Sequence, residues 1–208
     1  MAKINAFNIQ RGWIEVIAGP MFSGKSEELL RRINLLKYSE VGYLVFTPSV
    51  DTRSGAKIAK SRDGRTIETI TVDKSIEMIE HINKTTEPIQ LIAIDEAQFF
   101  DSQLPDVCNH LANNGYIVMV AGLDCDSFGK PFDHIARLLA SAERVTKLKA
   151  ICVNCGANAT FTDHVVERDS KNIIMVGDRK DYTAKCRRCH NHMKYLTSYL
   201  PEVRKADI

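Results

Sequence analysis

Residues Gly19-Pro20-Met21-Phe22-Ser23-Gly24-Lys25-Ser26 place the pattern G-x-x-x-x-G-K-S between two segments of opposite periodicity. Before it, Trp13, Ile14, Val16 and Ile17 form a short β-prone run; after it, Leu29, Leu30, Ile33 and Leu36 recur at helical spacing among Glu27, Glu28, Arg31 and Arg32. A strand that enters a helix through such a loop points converging backbone N–H groups and the positive end of the helix dipole at one spot, which is a cradle for phosphate oxygens. Lys25 adds a point charge there and Ser26 is placed to ligate Mg²⁺, so the pattern predicts a nucleoside triphosphate site on an α/β fold.

The rest of the chain alternates in the same way. Tyr43 to Thr47, Ile67 to Val72, Ile89 to Asp95 and Tyr116 to Ala121 read as strands, and most are nearly continuous in apolar residues, as suits strands covered on both faces. Ile76, Ile79 and Ile82 mark one helix; Leu104, Val107, Cys108 and Leu111 mark another, closed by Asn113, Asn114 and Gly115. This order predicts a doubly wound parallel sheet with ligands outside the carboxyl ends of its strands. Residues 48 to 66 are polar, lack periodicity and are expected to form a long mobile loop. From about Ala150 the composition shifts to Cys, Asn, Asp, Lys and Arg, so the expected division is a nucleotide-binding domain over 1–149, a small module over 150–195 and a tail over 196–208.

Bulk properties narrow the partners. With 208 residues and 44% hydrophobic content, the chain can bury a core. Its 28 basic and 26 acidic residues leave a formal charge of +2, and aromatic content is 7%, so neither a basic face nor a stacking platform for nucleic acid is indicated. No apolar run reaches a membrane span, and Met1 to Asn5 lacks the apolar core of a signal peptide, which predicts a cytoplasmic protein.

Leu91-Ile92-Ala93-Ile94 ends in Asp95-Glu96-Ala97-Gln98, an acidic pair delivered to the sheet edge where the phosphate loop opens. Asp95 can hold Mg²⁺, directly or through water, while Glu96 is free to act as a base. Their separation is expected because successive residues on an extended segment face opposite sides. Gln98 is placed with the cofactor-contacting residues.

Cys152-x-x-Cys155 and Cys186-x-x-Cys189 can each offer two thiolates to one tetrahedral ion. The four complete a closed Cys₄ zinc site, which has no vacant position and is therefore structural. Disulfides or a redox pair are the alternatives, disfavoured for a cytosolic chain. His190 and His192 are near enough to compete as ligands; Cys108 suits a core position and Cys125 an exposed loop.

The Asp95-Glu96-Ala97-Gln98 tetrapeptide also resembles the second motif of superfamily helicases, but a motor of that kind needs two such lobes and this chain holds one. A zinc-ribbon binding module would leave Glu96 without a purpose. GPMFSGKSEELLRR, IDEAQFF, AGLDCDSFGKPF and the two cysteine pairs, in that order over roughly residues 12 to 190, resemble the zinc-containing thymidine kinases of the cellular type. The fold implied is a P-loop (RecA-like) doubly wound sheet with a small C-terminal zinc-binding lasso. The activity implied is transfer of the γ-phosphate of ATP to the 5′-hydroxyl of thymidine, in nucleotide salvage, by a homotetramer controlled by thymidine triphosphate.

By that resemblance Gly19 to Ser26 bind the ATP phosphates, with Ser26 and Asp95 at Mg²⁺, and Glu96 takes the 5′-hydroxyl proton with Lys25 as its catalytic partner. Asp51 and Arg53 match a motif near the metal and phosphates. Phe99, Leu123, Phe128, Phe132 and Tyr182 resemble nucleoside-pocket residues. Thr162 and the segment Ile173 to Gly177, including Met175 and Val176, would read thymine from the lasso. Thymine offers an N3–H donor between two carbonyl acceptors, a pattern backbone groups can match and cytosine cannot. The chain departs from the family pattern at Ser127, where an aromatic residue is usual and Phe128 follows one place later, and at Asp178, where a second glycine is usual.

Overall fold

The computed structural model describes residues 12–37, 41–50, 58–60, 66–165 and 181–190. Strand β1 (Trp13–Ala18) leads into helix α1 (Lys25–Lys37), and β2 (Gly42–Pro48) follows. A short hairpin, β3 (Ile58–Lys60) with β4 (Thr66–Glu68), precedes β5 (Ile70–Val72) and α2 (Glu77–Lys84). Then come β6 (Ile89–Ile94), α3 (Leu104–Asn113), β7 (Ile117–Gly122), α4 (Asp133–Ser141) and β8 (Arg144–Lys147). Six strands form one sheet in the order β5-β2-β6-β7-β1-β8, and every pairing in it is parallel. β7 thus lies between the strand that ends in the phosphate loop and the strand that ends in Asp95.

Alternation along each central strand explains the two covered faces. Ile14, Val16, Phe46, Ile92, Ile94, Val118 and Val120 face α2, α3 and α4, while Ile17, Val45, Leu91, Ala93, Met119 and Ala121 face Leu29, Leu30 and Ile33 of α1. Burial on both sides is why these strands read as continuous apolar runs. Phe46 is fully buried, and its truncation to Ala would cost about 3–5 kcal/mol.

Several expectations are corrected here. The run Ile67 to Val72 is two strands: β4 pairs antiparallel with β3, and after Thr69 β5 pairs parallel with β2 at the sheet edge. A β-branched run announces extension but not its partner. Pro48 belongs to β2, and residues 58–60 of the expected loop are a strand. On α2 the inward residues are Met78 and Ile82, with Ile76 exposed. Helix α4, signalled by Ile135 and Leu138 at i, i+3, and the edge strand β8 were not anticipated.

Beyond the sheet, β9 (Ala150–Ile151) pairs with β10 (Asn158–Ala159) and β11 (Phe161–His164) with β12 (Tyr182–Lys185), all antiparallel. Ala150, Cys152, Ala159 and Ala184 form a separate small apolar cluster, against which Phe22 of the phosphate loop packs. No helix among the described residues is long and apolar enough to cross a membrane.

Candidate active site and metal centre

The phosphate loop leaves β1 at Gly19, whose φ is +150° and where a Cβ would lie 2.6 Å from the Leu148 carbonyl oxygen. No side chain fits there, so the first glycine is dictated by the close passage of the chain just after β8. Within the loop the Pro20 carbonyl accepts hydrogen bonds from Ser23 Oγ and Lys25 Nζ, both at 2.8 Å. Glu27 and Glu28 occupy the first turn of α1, and Glu28 N–H bonds back to the Gly24 carbonyl at 2.9 Å. Burial pushes the Lys25 ammonium below its ordinary pKa, against the opposing pull of Glu96, Asp95, Asp124 and Glu27. Four carboxylates therefore lie within the field of this one amine.

Asp95 is buried at the carboxyl end of β6, and Ser26 donates a hydrogen bond to its carboxylate. Burial, then the neighbouring charge of Glu96, raises its pKa to about 7. A hydroxyl and a carboxylate brought together at the phosphate loop are hard oxygen donors suited to Mg²⁺, which would also relieve the cost of ionising Asp95.

The separation of the two carboxylates differs in origin from the expectation. Asp95 and Glu96 are not consecutive on an extended strand: Glu96 is left-handed, with φ 50° and ψ 40°. Its N–H bonds to Asp95 Oδ1 at 2.9 Å and its carbonyl accepts from Phe99 N–H at 3.1 Å, opening a 3₁₀ turn over Ala97–Phe99. A non-glycine residue held there costs about 1–3 kcal/mol, a strain that recurs at functional sites. Gln98 supplies part of the constraint. Its Nε2 donates to Glu96 Oε2 at 2.6 Å and its Oε1 accepts from Leu123 N–H at 2.9 Å. His134 of α4 lies 3.2 Å through Nε2 from the Ala97 carbonyl and buttresses the same turn.

Opposite these groups, Thr162 of β11 reaches the phosphate loop: Met21 N–H donates to Thr162 Oγ1 at 3.0 Å. Tyr182 of β12 and Phe128 both contact the His164 ring, at centroid distances of 4.9 and 5.9 Å. Phe132 packs against the main core and stands at the entry to α4, and Phe99 is half-buried in the 3₁₀ turn. Asp51, Arg53, Ile173, Met175, Val176, Gly177, Asp178 and His192 lie outside the described residues.

The four cysteines of the two C-x-x-C pairs converge, with all four sulfurs within 4.8 Å of one another and Cys155 to Cys186 at 3.7 Å. Tetrahedral zinc with Zn–S bonds of about 2.3 Å requires sulfurs about 3.8 Å apart, so the donor set fits that ion. The backbone N–H of Cys186, with those of Asn154 and Cys155, brings Cys152 down to about 6, whereas hydrogen bonds to Cys155 and Cys186 push Cys189 up to about 12. Four thiolates at this spacing repel one another without a cation. His190 is not in this cluster: it is buried, with Nε2 2.9 Å from the Thr162 carbonyl. Cys108 is a core thiol that burial pushes up to about 12, and Cys125, half-buried, is pushed up to about 11.

The braces Gln98, His134, His164 and His190 were not recognised as such from the sequence, because each acts across a long sequence separation. Only the Gln98 position, next to the acidic pair, carried a local signal.

The family model described as thymidine kinase matches residues 12–190. A thymidine kinase of Ureaplasma urealyticum serovar 10 is 44% identical over 206 residues, covering 96% of this chain and 91% of that protein. One from Mycoplasmoides gallisepticum is 43% identical over 196 residues, covering 92% and 86%. Among solved structures, the genome-packaging NTPase of Sulfolobus turreted icosahedral virus 2 aligns with a TM-score of 0.43 at 15% identity, over 69% of this chain and 78% of that one. With a family match over nearly the whole chain and relatives above 40% identity, the chain belongs to the thymidine kinase family.

Proposed function

We propose that the protein transfers the γ-phosphate of ATP to the 5′-hydroxyl of thymidine, giving thymidine monophosphate and ADP. The observation that carries this reading is the Glu96 carboxylate, held at 2.6 Å by Gln98 beside the Ser26–Asp95 pair at the mouth of the phosphate loop. The backbone from Gly19 to Ser26 and the Lys25 ammonium hold the phosphates. Glu96 accepts the proton of the 5′-hydroxyl as its oxygen bonds to the γ-phosphorus and the bond from phosphorus to the ADP oxygen breaks. Ser26 and Asp95 would hold Mg²⁺, whose charge offsets that of the phosphates. Gln98, its amide committed at both ends, acts by orienting Glu96 rather than by touching ATP.

Thr162, Leu123, Phe99, Phe128, Phe132 and Tyr182 would line the nucleoside pocket. Residues 173–177 would complete the pocket over the base, and Asp51 and Arg53 the phosphate side. Cys152, Cys155, Cys186 and Cys189 would hold one structural zinc ion and so fix the hairpin carrying Thr162. Resemblance to the family supports a cytoplasmic homotetramer inhibited by thymidine triphosphate, which gel filtration and an inhibition series would test.

Incubation of the full chain with labelled ATP and a panel of nucleosides tests the reading. Label should pass to thymidine, with cytidine and purine nucleosides poor acceptors. ATP hydrolysis stimulated by nucleic acid, without nucleoside phosphorylation, would favour a helicase-type ATPase instead; the family match disfavours that outcome.

A further inference from the structure

The segment after β7 is tied to itself. Asp126 Oδ1 accepts from Phe128 N–H and Lys130 N–H, both at 2.9 Å, while Asp126 N–H bonds to the Lys130 carbonyl at 2.8 Å and Cys125 bridges Pro131. So many local bonds make the loop move as one piece. Its contact with the β11–β12 hairpin centres on one imidazole. Ser127 Oγ and His164 Nε2 share a hydrogen bond of 2.7 Å, with both residues at least nine-tenths buried. The same ring lies against Tyr182 at 4.9 Å with planes 31° apart, and meets Phe128 edge-on at 5.9 Å. At its other end the loop begins at Leu123, whose N–H is held by the Gln98 amide that also holds Glu96.

We propose that His164 is a positioning residue for the nucleoside: it docks the Asp126–Lys130 loop onto the β11–β12 hairpin and so sets the placement of Phe128 relative to Tyr182. The inference rests on the thymidine kinase reading, which supplies the nucleoside. Its chemistry is separable from phosphate transfer, because His164 acts on the loop through the Ser127 hydroxyl, whereas Glu96 is held by Gln98. A buried polar pair left half-made has no water to replace it, so loss of either partner should loosen the dock rather than leave it neutral. Ser127 takes part here through its hydroxyl, and the aromatic surface is supplied by the next residue.

Steady-state kinetics on the full chain, varying thymidine and ATP in turn, test the proposal with His164→Ala, His164→Gln, Ser127→Ala and the double alanine variant. Zinc content and thermal midpoint serve as controls. The expected result for His164→Ala is a rise of about tenfold or more in KM for thymidine, the size of one lost buried contact, with kcat within about threefold and KM for ATP unchanged. Gln, whose amide reaches about as far as Nε2, should recover part of the loss. Ser127→Ala should show a smaller rise that adds nothing to His164→Ala in the double variant. A parallel fall in kcat, in zinc content and in affinity for both substrates would overturn the proposal by showing a merely structural role. So would an unchanged KM for thymidine, and that result would leave the kinase reading standing. Should His164→Ala fail to fold, Ser127→Ala decides, since it deletes a single oxygen. Wild-type protein unable to phosphorylate thymidine would overturn both readings together.

Discussion

Gln98 Nε2 stands 2.6 Å from Glu96 Oε2, and the same amide accepts the Leu123 N–H through Oε1. One buried side chain therefore fixes the left-handed acidic residue after β6 to the chain leaving β7, across the neighbouring-strand gap at the head of the sheet. Gly122 accommodates it: a Cβ there would lie 3.1 Å from Gln98 Oε1. Replacing Gln98 with Leu should lower kcat by about tenfold with KM for ATP nearly unchanged, since the lost group acts on orientation. Steady-state kinetics would show it, and equal losses in both parameters would point to a collapsed site.

Lys25→Ala should behave differently. In the proposed reaction the ammonium would face the phosphates in ground and transition states alike, so its removal should raise the Kd for ATP as well as lower kcat. Equilibrium titration with ATP, beside turnover measurements, checks the pair of effects. Unchanged ATP affinity would place Lys25 outside the phosphate site.

The sulfur geometry predicts about one zinc ion per chain by elemental analysis. Cys152→Ser together with Cys186→Ser should abolish metal binding and unfold the β9–β12 region around Ala150, Cys152, Ala159 and Ala184, a cluster of small side chains. Because Met21 N–H leans on Thr162, loss of the metal should also weaken nucleotide binding. A metal-free protein with two disulfides would contradict this.

Beneath α1, Glu15 accepts hydrogen bonds from Trp13 Nε1, Arg32 and Arg144 at 2.8, 3.0 and 2.7 Å. Burial raises its pKa, but the three donors outweigh burial and hold the carboxyl below its ordinary 4.5. A carboxyl depressed in the folded state stabilises the fold above its unfolded pKa, and that stability is lost as pH falls below about 4.5 through the lower folded value. Thermal melts should therefore show a falling midpoint below that pH. Glu15→Gln should remove about 1.5–3 kcal/mol at neutral pH and flatten the acid limb. An unchanged acid limb would assign acid sensitivity to other carboxyls.

Much of this arrangement was legible in the chain because it is local. The glycine loop, the apolar run ending in Asp95 and the paired cysteines each state their chemistry over a few residues, and the buried parallel strands announce themselves as unbroken apolar runs. What escaped is what depends on partners distant in sequence. β8 has Val145 as its single large apolar residue and is a strand only because β1 lies beside it. The Ile67–Val72 run divides between two partners, a choice that β propensity does not encode. Glu96 looked extended and is left-handed, because Asp95 captures its N–H and Gln98 its carboxylate. Ser127 looked like a missing ring and is a hydrogen-bond partner of His164, 37 residues on.

Single-turnover phosphorylation of thymidine by Glu96→Gln, measured beside equilibrium binding of ATP and thymidine, isolates the role of the Glu96 carboxylate. Gln keeps the shape of the side chain but cannot accept the 5′-hydroxyl proton. Both ligands should bind near normally and the chemical step should slow by about 10² to 10⁴, the usual contribution of a general base. Near-full single-turnover rate, or loss of fold and zinc on this substitution, would contradict that role and leave Glu96 a structural residue of the turn after β6.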